Sequence, residues 1–147
     1  MKSDDRTFRT SRTLLYPPDT IYSAFETPDL LAVWWGPDGF ANTFELFEFQ
    51  VGGQWRFIMH GPDGKDYPNQ NVFQALEPGR KIVIRHDCTP YFTLTIALAA
   101  VAEGTELTWE QIFDDPDTAL AVKQVVVRAN EQNLDRLDRV LSKACAA

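Results

Sequence analysis

The stretch that decides the fold is residues 115–141, which read DPDTALAVKQVVVRANEQNLDRLDRVL. Asp115 is a favourable helix N-cap, and Pro116 suits the first helical position, where no backbone N–H is needed. Apolar residues then recur at three- and four-residue steps, at Ala119, Val122, Val126, Leu134, Leu137 and Leu141. Roughly 25 residues at about 1.5 Å each predict a helix about 40 Å long, enough to cross a whole sheet.

The chain before this helix has regularly spaced turn residues, which are typical of antiparallel hairpins. Turns that contain glycine lie at 52–53, 61–64, 77–79 and 103–105. The runs between them predict a first strand at 6–15 and six more near 41–51, 53–61, 66–77, 81–87, 90–101 and 105–113. In several of these runs every second residue is apolar, as at Trp55, Phe57 and Met59. One face of the sheet is therefore predicted to be apolar and the other exposed to solvent.

Two short helices are predicted between the first and second strands. Proline at positions 17 and 18 stops the first strand, and Asp19 or Thr20 would cap the helix that follows. A second helix at 30–35 would follow Thr27 as its N-cap and Pro28 at its first position. The sequence therefore predicts an α+β fold in which a seven-stranded curved antiparallel sheet wraps around a long C-terminal helix. We expect residues 1–147 to form a single domain, with residues 1–5 as a flexible tail.

Composition and charge exclude several function classes. The 147 residues, 44% of them hydrophobic, support one core without disulfides or a structural metal. The net charge is −7, and residues 14–122 hold five basic and sixteen acidic side chains, which disfavours both nucleic acid and anionic membranes as partners. Cys88 and Cys145 form no disulfide framework, as in a reducing cytoplasm, and the longest apolar run, 96–102, is too short to span a bilayer. We expect a cytoplasmic protein.

Several short motifs carry a resemblance to a known superfamily. They are Phe25 with Trp34-Trp35-Gly36-Pro37, Val51-Gly52-Gly53, Gly104-Thr105-x-Leu107, and the stretch HGPDGKDYPN at 60–69 followed by Phe73 and Arg85-His86. Over residues 6–141 the order of elements and motifs resembles the START-like or SRPBCC superfamily, which has the birch-pollen-allergen-like helix-grip fold. Within it, the chain is similar to homologues of the heat-shock-protein-90 ATPase activator, in a bacterial polyketide-cyclase-like subgroup. The resemblance implies a pocket between sheet and helix that takes small, largely apolar molecules.

The chain departs from that family pattern in two places. The eukaryotic activator has an additional N-terminal domain that engages its chaperone, and the 147 residues leave no room for one. Many relatives have a Gly-Trp pair in the last helix, where this chain has amides within residues 129–133. The first departure weakens the analogy with chaperone activation, so a chaperone or another protein is kept only as an alternative partner. A homodimer also stays open.

Polar residues that share the apolar faces suggest one end of a cavity. Asn130 and Asn133 lie on the helix stripe, and His86 and Gln111 point inward by strand parity. Such groups cost about 1–3 kcal/mol each when left unpaired, so they pair with each other, with water or with a ligand. The predicted ligand-binding residues are Trp35, Trp55, Phe57, Met59, Phe73, His86, Phe92, Leu94, Trp109, Gln111, Val126, Asn130 and Asn133. The alternative is that the amides lie in solvent at the helix rim and His86 is a satisfied core histidine.

The sequence gives less support for a catalytic or metal site than for a ligand-binding pocket. His86 and Cys88 share a strand face, but no fourth ligand accompanies them, so neither a metal nor a cofactor is predicted. No G-x-S-x-G or phosphate-binding loop is present. His86 is the one candidate for acid and base catalysis, in a cyclase or hydrolase. We expect the binding of a small hydrophobic or amphipathic molecule, with such an enzyme or a co-chaperone-like interaction module as alternatives.

Overall fold

A computed structural model describes residues 6–145, and the predicted tail at residues 1–5 lies outside that range. The elements are β1 (Thr7–Leu14), α1 (Pro18–Glu26), α2 (Pro28–Trp34), β2 (Ala41–Phe47), β3 (Gln54–His60), β4 (Asp66–Glu77), β5 (Lys81–His86), β6 (Phe92–Val101), β7 (Gly104–Phe113) and α3 (Pro116–Cys145). The predicted α+β class is confirmed, with two short helices after the first strand and a long helix at the C-terminal end.

The seven strands form one antiparallel sheet in the order β1-β7-β6-β5-β4-β3-β2. Strands β2 to β7 follow one another as hairpins, and β1 joins the far edge by pairing with β7. Because β1 and β2 lie at opposite edges, α1 and α2 carry the chain from one edge of the sheet to the other. This arrangement is the helix-grip fold.

The strand predicted at 41–51 is too long, because β2 ends at Phe47. Beyond it the chain turns sharply: Glu48 N–H donates to the Gln54 carbonyl, and Gly53 N–H donates to the Gln50 carbonyl. A β-bulge between Phe44 and Leu46 breaks the alternation within β2. As a result Phe44 and Phe47 both pack against the core, although they are three residues apart.

The predicted cap and start of the last helix are confirmed. The Asp115 carboxylate accepts hydrogen bonds from the Thr118 backbone N–H, at 2.9 Å, and from its hydroxyl, at 2.8 Å. The 30 residues of α3 span about 45 Å, and Leu134 and Leu137 in its second half are completely buried in the core. No helix in the described part of the chain is long and apolar enough to cross a membrane.

The short helices differ in detail from the prediction. Helix α1 begins at Pro18, with Pro17 at the N-cap position, so neither Asp19 nor Thr20 caps it. Helix α2 has Thr27 at its N-cap position and Pro28 as its first residue, as predicted, and it ends at Trp34, one residue before the predicted end. In both helices a proline occupies the first turn, where it fixes the backbone without the loss of a hydrogen bond.

Candidate functional site

An open pocket of about 480 Å³ lies between α3 and the inner face of the sheet. Its wall combines the middle of α3, inward residues of β3 to β7 and two loops. The lining residues are Trp35, Gly36, Pro37, Phe57, Met59, Asp66, Tyr67, Pro68, Asn69, Asn71, Ile84, His86, Thr89, Pro90, Phe92, Leu94, Trp109, Gln111, Ala129, Asn130 and Asn133.

The structure brings most of the predicted site residues to this pocket. Those that line it are Trp35, Phe57, Met59, His86, Phe92, Leu94, Trp109, Gln111, Asn130 and Asn133. Trp55, Phe73 and Val126 do not. The rings of Trp55 and Phe73 stack in parallel, 5.8 Å apart, and both are buried in the core. They support the pocket wall from behind, because Trp55 also contacts the rings of Trp35 and Phe57.

Aromatic rings form much of the apolar wall. Trp35, at the end of α2, lies with its ring centroid 5.7 Å from that of Trp109 on β7. The Phe92 ring stacks on the His86 imidazole at 4.3 Å, with only 6° between the planes. Flat aromatic faces on several sides favour a flat, apolar occupant.

His86 at the end of β5 is 7% exposed, and both of its ring nitrogens are engaged. Nδ1 lies 2.7 Å from the Pro90 carbonyl oxygen, and Nε2 lies 2.8 Å from the Asn69 side-chain oxygen. A carbonyl oxygen only accepts, so Nδ1 carries a proton. Burial lowers the pKa of His86 and outweighs the hydrogen bond to the Pro90 carbonyl, which favours the charged ring. The imidazole therefore contributes a ring face to the pocket, and both of its nitrogens lie against protein atoms.

Cys88 lies beside His86 but not in the arrangement of an activated thiol. Its sulfur is 3.5 Å from Nε2 and 4.0 Å from Nδ1 of the ring. Because the two distances are similar, the sulfur does not lie along the lone pair of either nitrogen, and both nitrogens already face oxygen atoms. The pair lacks the nucleophile and base geometry of cysteine enzymes. Within the described residues, no group of three or more His, Cys, Asp or Glu side chains could hold a metal ion.

The amides on α3 point toward the sheet. Asn130 Nδ2 donates to the Gln111 side-chain oxygen at 3.1 Å, and Asn133 Nδ2 donates to the Trp34 carbonyl at 2.9 Å. Asn133 is 6% exposed and Gln111 is 8% exposed. These amides therefore face the pocket rather than bulk solvent, and the His86 ring nitrogens face protein oxygens.

Sequence reasoning missed the polar side of β4. Tyr67, Asn69 and Asn71 line the pocket, and Asn71 Nδ2 donates to the Trp55 carbonyl at 3.2 Å. The signal was present, because these residues precede Phe73 in steps of two and therefore share its inward face. The loop residues Gly36, Pro37, Thr89 and Pro90 gave no such signal, since their position depends on the tertiary fold.

Arg136 on α3 was also missed, and it fixes the loop above the pocket. Its guanidinium donates to five backbone carbonyls, those of Val33, Trp35, Gly36, Pro37 and Phe40, at 2.6–3.3 Å. Burial lowers the pKa of this guanidinium, which nevertheless remains charged. The helix thereby holds Trp35, Gly36 and Pro37, three of the residues that line the pocket.

A hydroxyl, an imidazole and a carboxylate also meet across strands β2, β3 and β4. His60 Nε2 lies 2.7 Å from the Thr43 hydroxyl, and Nδ1 lies 2.8 Å from the Asp66 carboxylate. This is the order of a nucleophilic triad. Neither Thr43 nor His60 lines the pocket, however, and the His60 side chain is 38% exposed. We interpret the three side chains as a cross-strand cluster between β2, β3 and β4.

Comparison with protein families gives one match over most of the chain. The model described as "Activator of Hsp90 ATPase homolog 1-like protein" matches residues 15–142. This range includes both short helices, strands β2 to β7 and nearly all of α3. A search of curated proteins found no significant match.

Solved structures of bacterial proteins have the same fold. A protein from Chromobacterium violaceum is 26% identical, with a TM-score of 0.82 over 91% of this chain and 96% of its own. A protein from Nitrosomonas europaea is 18% identical, with a TM-score of 0.88 over 97% of this chain and 98% of its own. A protein from Aeromonas hydrophila, described as AHSA1-like, is 17% identical, with a TM-score of 0.78 over 96% of this chain and 95% of its own.

Proposed function

The chain belongs to the family of Activator of Hsp90 ATPase homolog 1-like proteins, and we propose that it binds a small hydrophobic or amphipathic molecule in the pocket between α3 and the sheet. The fold and family are those of ligand-binding or co-chaperone-like modules. The observation that carries the choice is the open cavity of about 480 Å³ walled by aromatic rings.

The size and lining of this cavity support the proposal. Small-molecule sites are concave, largely apolar and usually about 300–1,000 Å³ in volume, with a few polar groups that orient the ligand. Here the apolar wall includes Trp35, Phe92 and Trp109, and the polar groups are side-chain amides. Protein interiors are otherwise packed as densely as organic crystals, so an open space of this size beside the core costs contacts that a ligand would restore.

The test fills the pocket from the helix side. Ala129 lines the pocket, whereas Ala121, two turns earlier on α3, is exposed. In Ala129→Phe the new ring would occupy the cavity, so binding of the neutral fluorescent probe N-phenyl-1-naphthylamine should weaken at least about tenfold. Ala121→Phe adds the same ring on the surface and should bind the probe like the parent. Undiminished probe binding by a folded Ala129→Phe protein would refute the proposal.

A co-chaperone-like role is a second candidate, and exposed apolar side chains on α3 favour it. Leu120 and Val127, two turns apart on the same face of the helix, are 73% and 48% exposed. Apolar side chains grouped on a surface are typical of a protein contact. The Ala129→Phe variant separates the two roles, because a surface contact with a chaperone does not use the pocket.

The proposed setting is the cytoplasm, with the small molecule as the main partner. Cys88 is a free thiol, as expected in a reducing compartment. The excess of acidic side chains opposes association with nucleic acid or with anionic membranes. A homodimer, if formed, would leave these arguments unchanged.

A further inference from the structure

Backbone carbonyls determine the orientation of two asparagine side-chain amides in the pocket. Asn71 Nδ2 faces the Trp55 carbonyl, and Asn133 Nδ2 faces the Trp34 carbonyl. A backbone carbonyl only accepts hydrogen bonds, so in each case the nitrogen of the amide must face it. The two side-chain oxygens, Oδ1 of Asn71 and Oδ1 of Asn133, are therefore turned away from these carbonyls.

Both oxygens are acceptors that the protein leaves unused. Asn71 is 3% exposed and Asn133 is 6% exposed, and both residues line the pocket. Neither oxygen accepts a hydrogen bond from any residue in the described range of the chain. Neither belongs to the polar atoms that are sealed from solvent without a partner, so both remain accessible from the pocket. An occupant must offer them a donor or leave them unpaired.

The charges around the pocket exclude a charged head group. None of its lining residues is a lysine or arginine, and the one carboxylate among them, Asp66, has a side chain that is 62% exposed. Arg136 lies nearby, but its guanidinium is committed to backbone carbonyls of residues 33–40. An anion would find no cation in the pocket and a cation would find no buried carboxylate, so either would lose its hydration without compensation.

We infer that the ligand is an uncharged aromatic molecule with a hydroxyl group, which donates to Asn71 or Asn133. The inference rests on the proposed function and adds the chemistry of the polar end. The aromatic part lies between the rings of the wall, and the hydroxyl lies against the amide oxygens. A ligand whose polar group only accepts, such as an ether, gains nothing from them.

Matched naphthalene derivatives test this inference by calorimetry. 2-Naphthylmethanol donates a hydrogen bond, whereas its methyl ether, 2-(methoxymethyl)naphthalene, only accepts. The alcohol should bind about fivefold tighter than the ether, the ratio expected for one hydrogen bond. It should also bind tighter than 2-naphthoate and than 2-naphthylmethylammonium. An ether that binds as tightly as the alcohol, or a naphthoate that binds best, would overturn the inference while pocket binding itself stands. Failure of every compound, together with N-phenyl-1-naphthylamine, would instead refute the proposed function.

Two variants locate the acceptor. In Asn71→Leu the ratio of alcohol to ether affinity should fall toward one, and Asn133→Leu provides the same test from the helix if the first variant does not fold. Gln74→Leu is the control, because it also replaces a side-chain amide by leucine, at an exposed position of β4. Its ratio should equal that of the parent. A ratio that stays near fivefold in both Asn71→Leu and Asn133→Leu would show that neither amide receives the hydroxyl.

Discussion

Replacement of Arg136 by methionine should destabilise the protein far more than loss of a surface arginine. The side chain makes four short hydrogen bonds, to the carbonyls of Val33, Gly36, Pro37 and Phe40 at 2.6–2.9 Å, and one longer bond of 3.3 Å. The four N–H groups on its two terminal nitrogens match the four short bonds. At about 1 kcal/mol net for each short bond, less the recovered hydration of the guanidinium, the loss is about 3 kcal/mol.

Urea denaturation followed by far-UV circular dichroism measures this loss as a change in the free energy of unfolding. For a domain of this size the same change lowers the Tm by about 6–12 °C. Arg136→Lys should lose roughly half as much, since an ammonium group brings three donors to one point and cannot span carbonyls spread along a loop.

Arg139→Met is the matched control, one turn further along α3. The Arg139 side chain is 64% exposed and lies 3.6 Å from Asp38 in a surface ion pair, which contributes at most about 1 kcal/mol. If Arg136→Met changes the free energy of unfolding by less than about 0.5 kcal/mol, or no more than Arg139→Met does, the carbonyl contacts do not hold the loop and the reasoning is refuted.

Two further predictions concern His86 and the turn after β2. Burial lowers the pKa of His86 below its ordinary value of 6.5, so the unfolded chain takes up this proton first as the pH falls. The free energy of unfolding should therefore decrease more between pH 7 and pH 5 in the parent than in His86→Gln, and parallel pH profiles would contradict this. Gly53→Ala should destabilise by more than about 2 kcal/mol, because its Cβ would collide with the Glu48 carbonyl oxygen. Gly52→Ala meets nothing within 4 Å and should cost only about 1 kcal/mol for its positive φ of 82°; similar losses in thermal unfolding would refute the collision.

The sequence predicts the inner face of the sheet because strand parity is a local property. Alternation alone predicts that Leu94, Trp109 and Gln111 share the inner face, and all three line the pocket. The same rule, applied backward from Phe73, would have included Asn69 and Asn71. The pattern hides Asn69 and Asn71 because polar residues near a turn resemble a solvated loop.

Other features of the site depend on contacts that no local pattern encodes. Arg136 belongs to a polar run of α3 and resembles an ordinary surface arginine in the sequence. Its partners are carbonyls about one hundred residues earlier in the chain, and a backbone carbonyl carries no signature of residue type. The loop at 35–40 becomes part of the site only when the helix and this loop meet.

The pocket exists because the side chains that α3 turns toward the sheet change in size and polarity along the helix. At Leu134, Leu137 and Leu141 the helix supplies large apolar side chains, and the space against the sheet is filled. One turn earlier it supplies Ala129 and Asn130, which are too small and too polar to fill the same space. Asn133, between the two regions, is held by the Trp34 carbonyl, so its side chain cannot swing into the gap. The cavity is thus a consequence of residue size at the middle of a rigid helix, and a single bulky apolar residue at position 129 should be enough to close it.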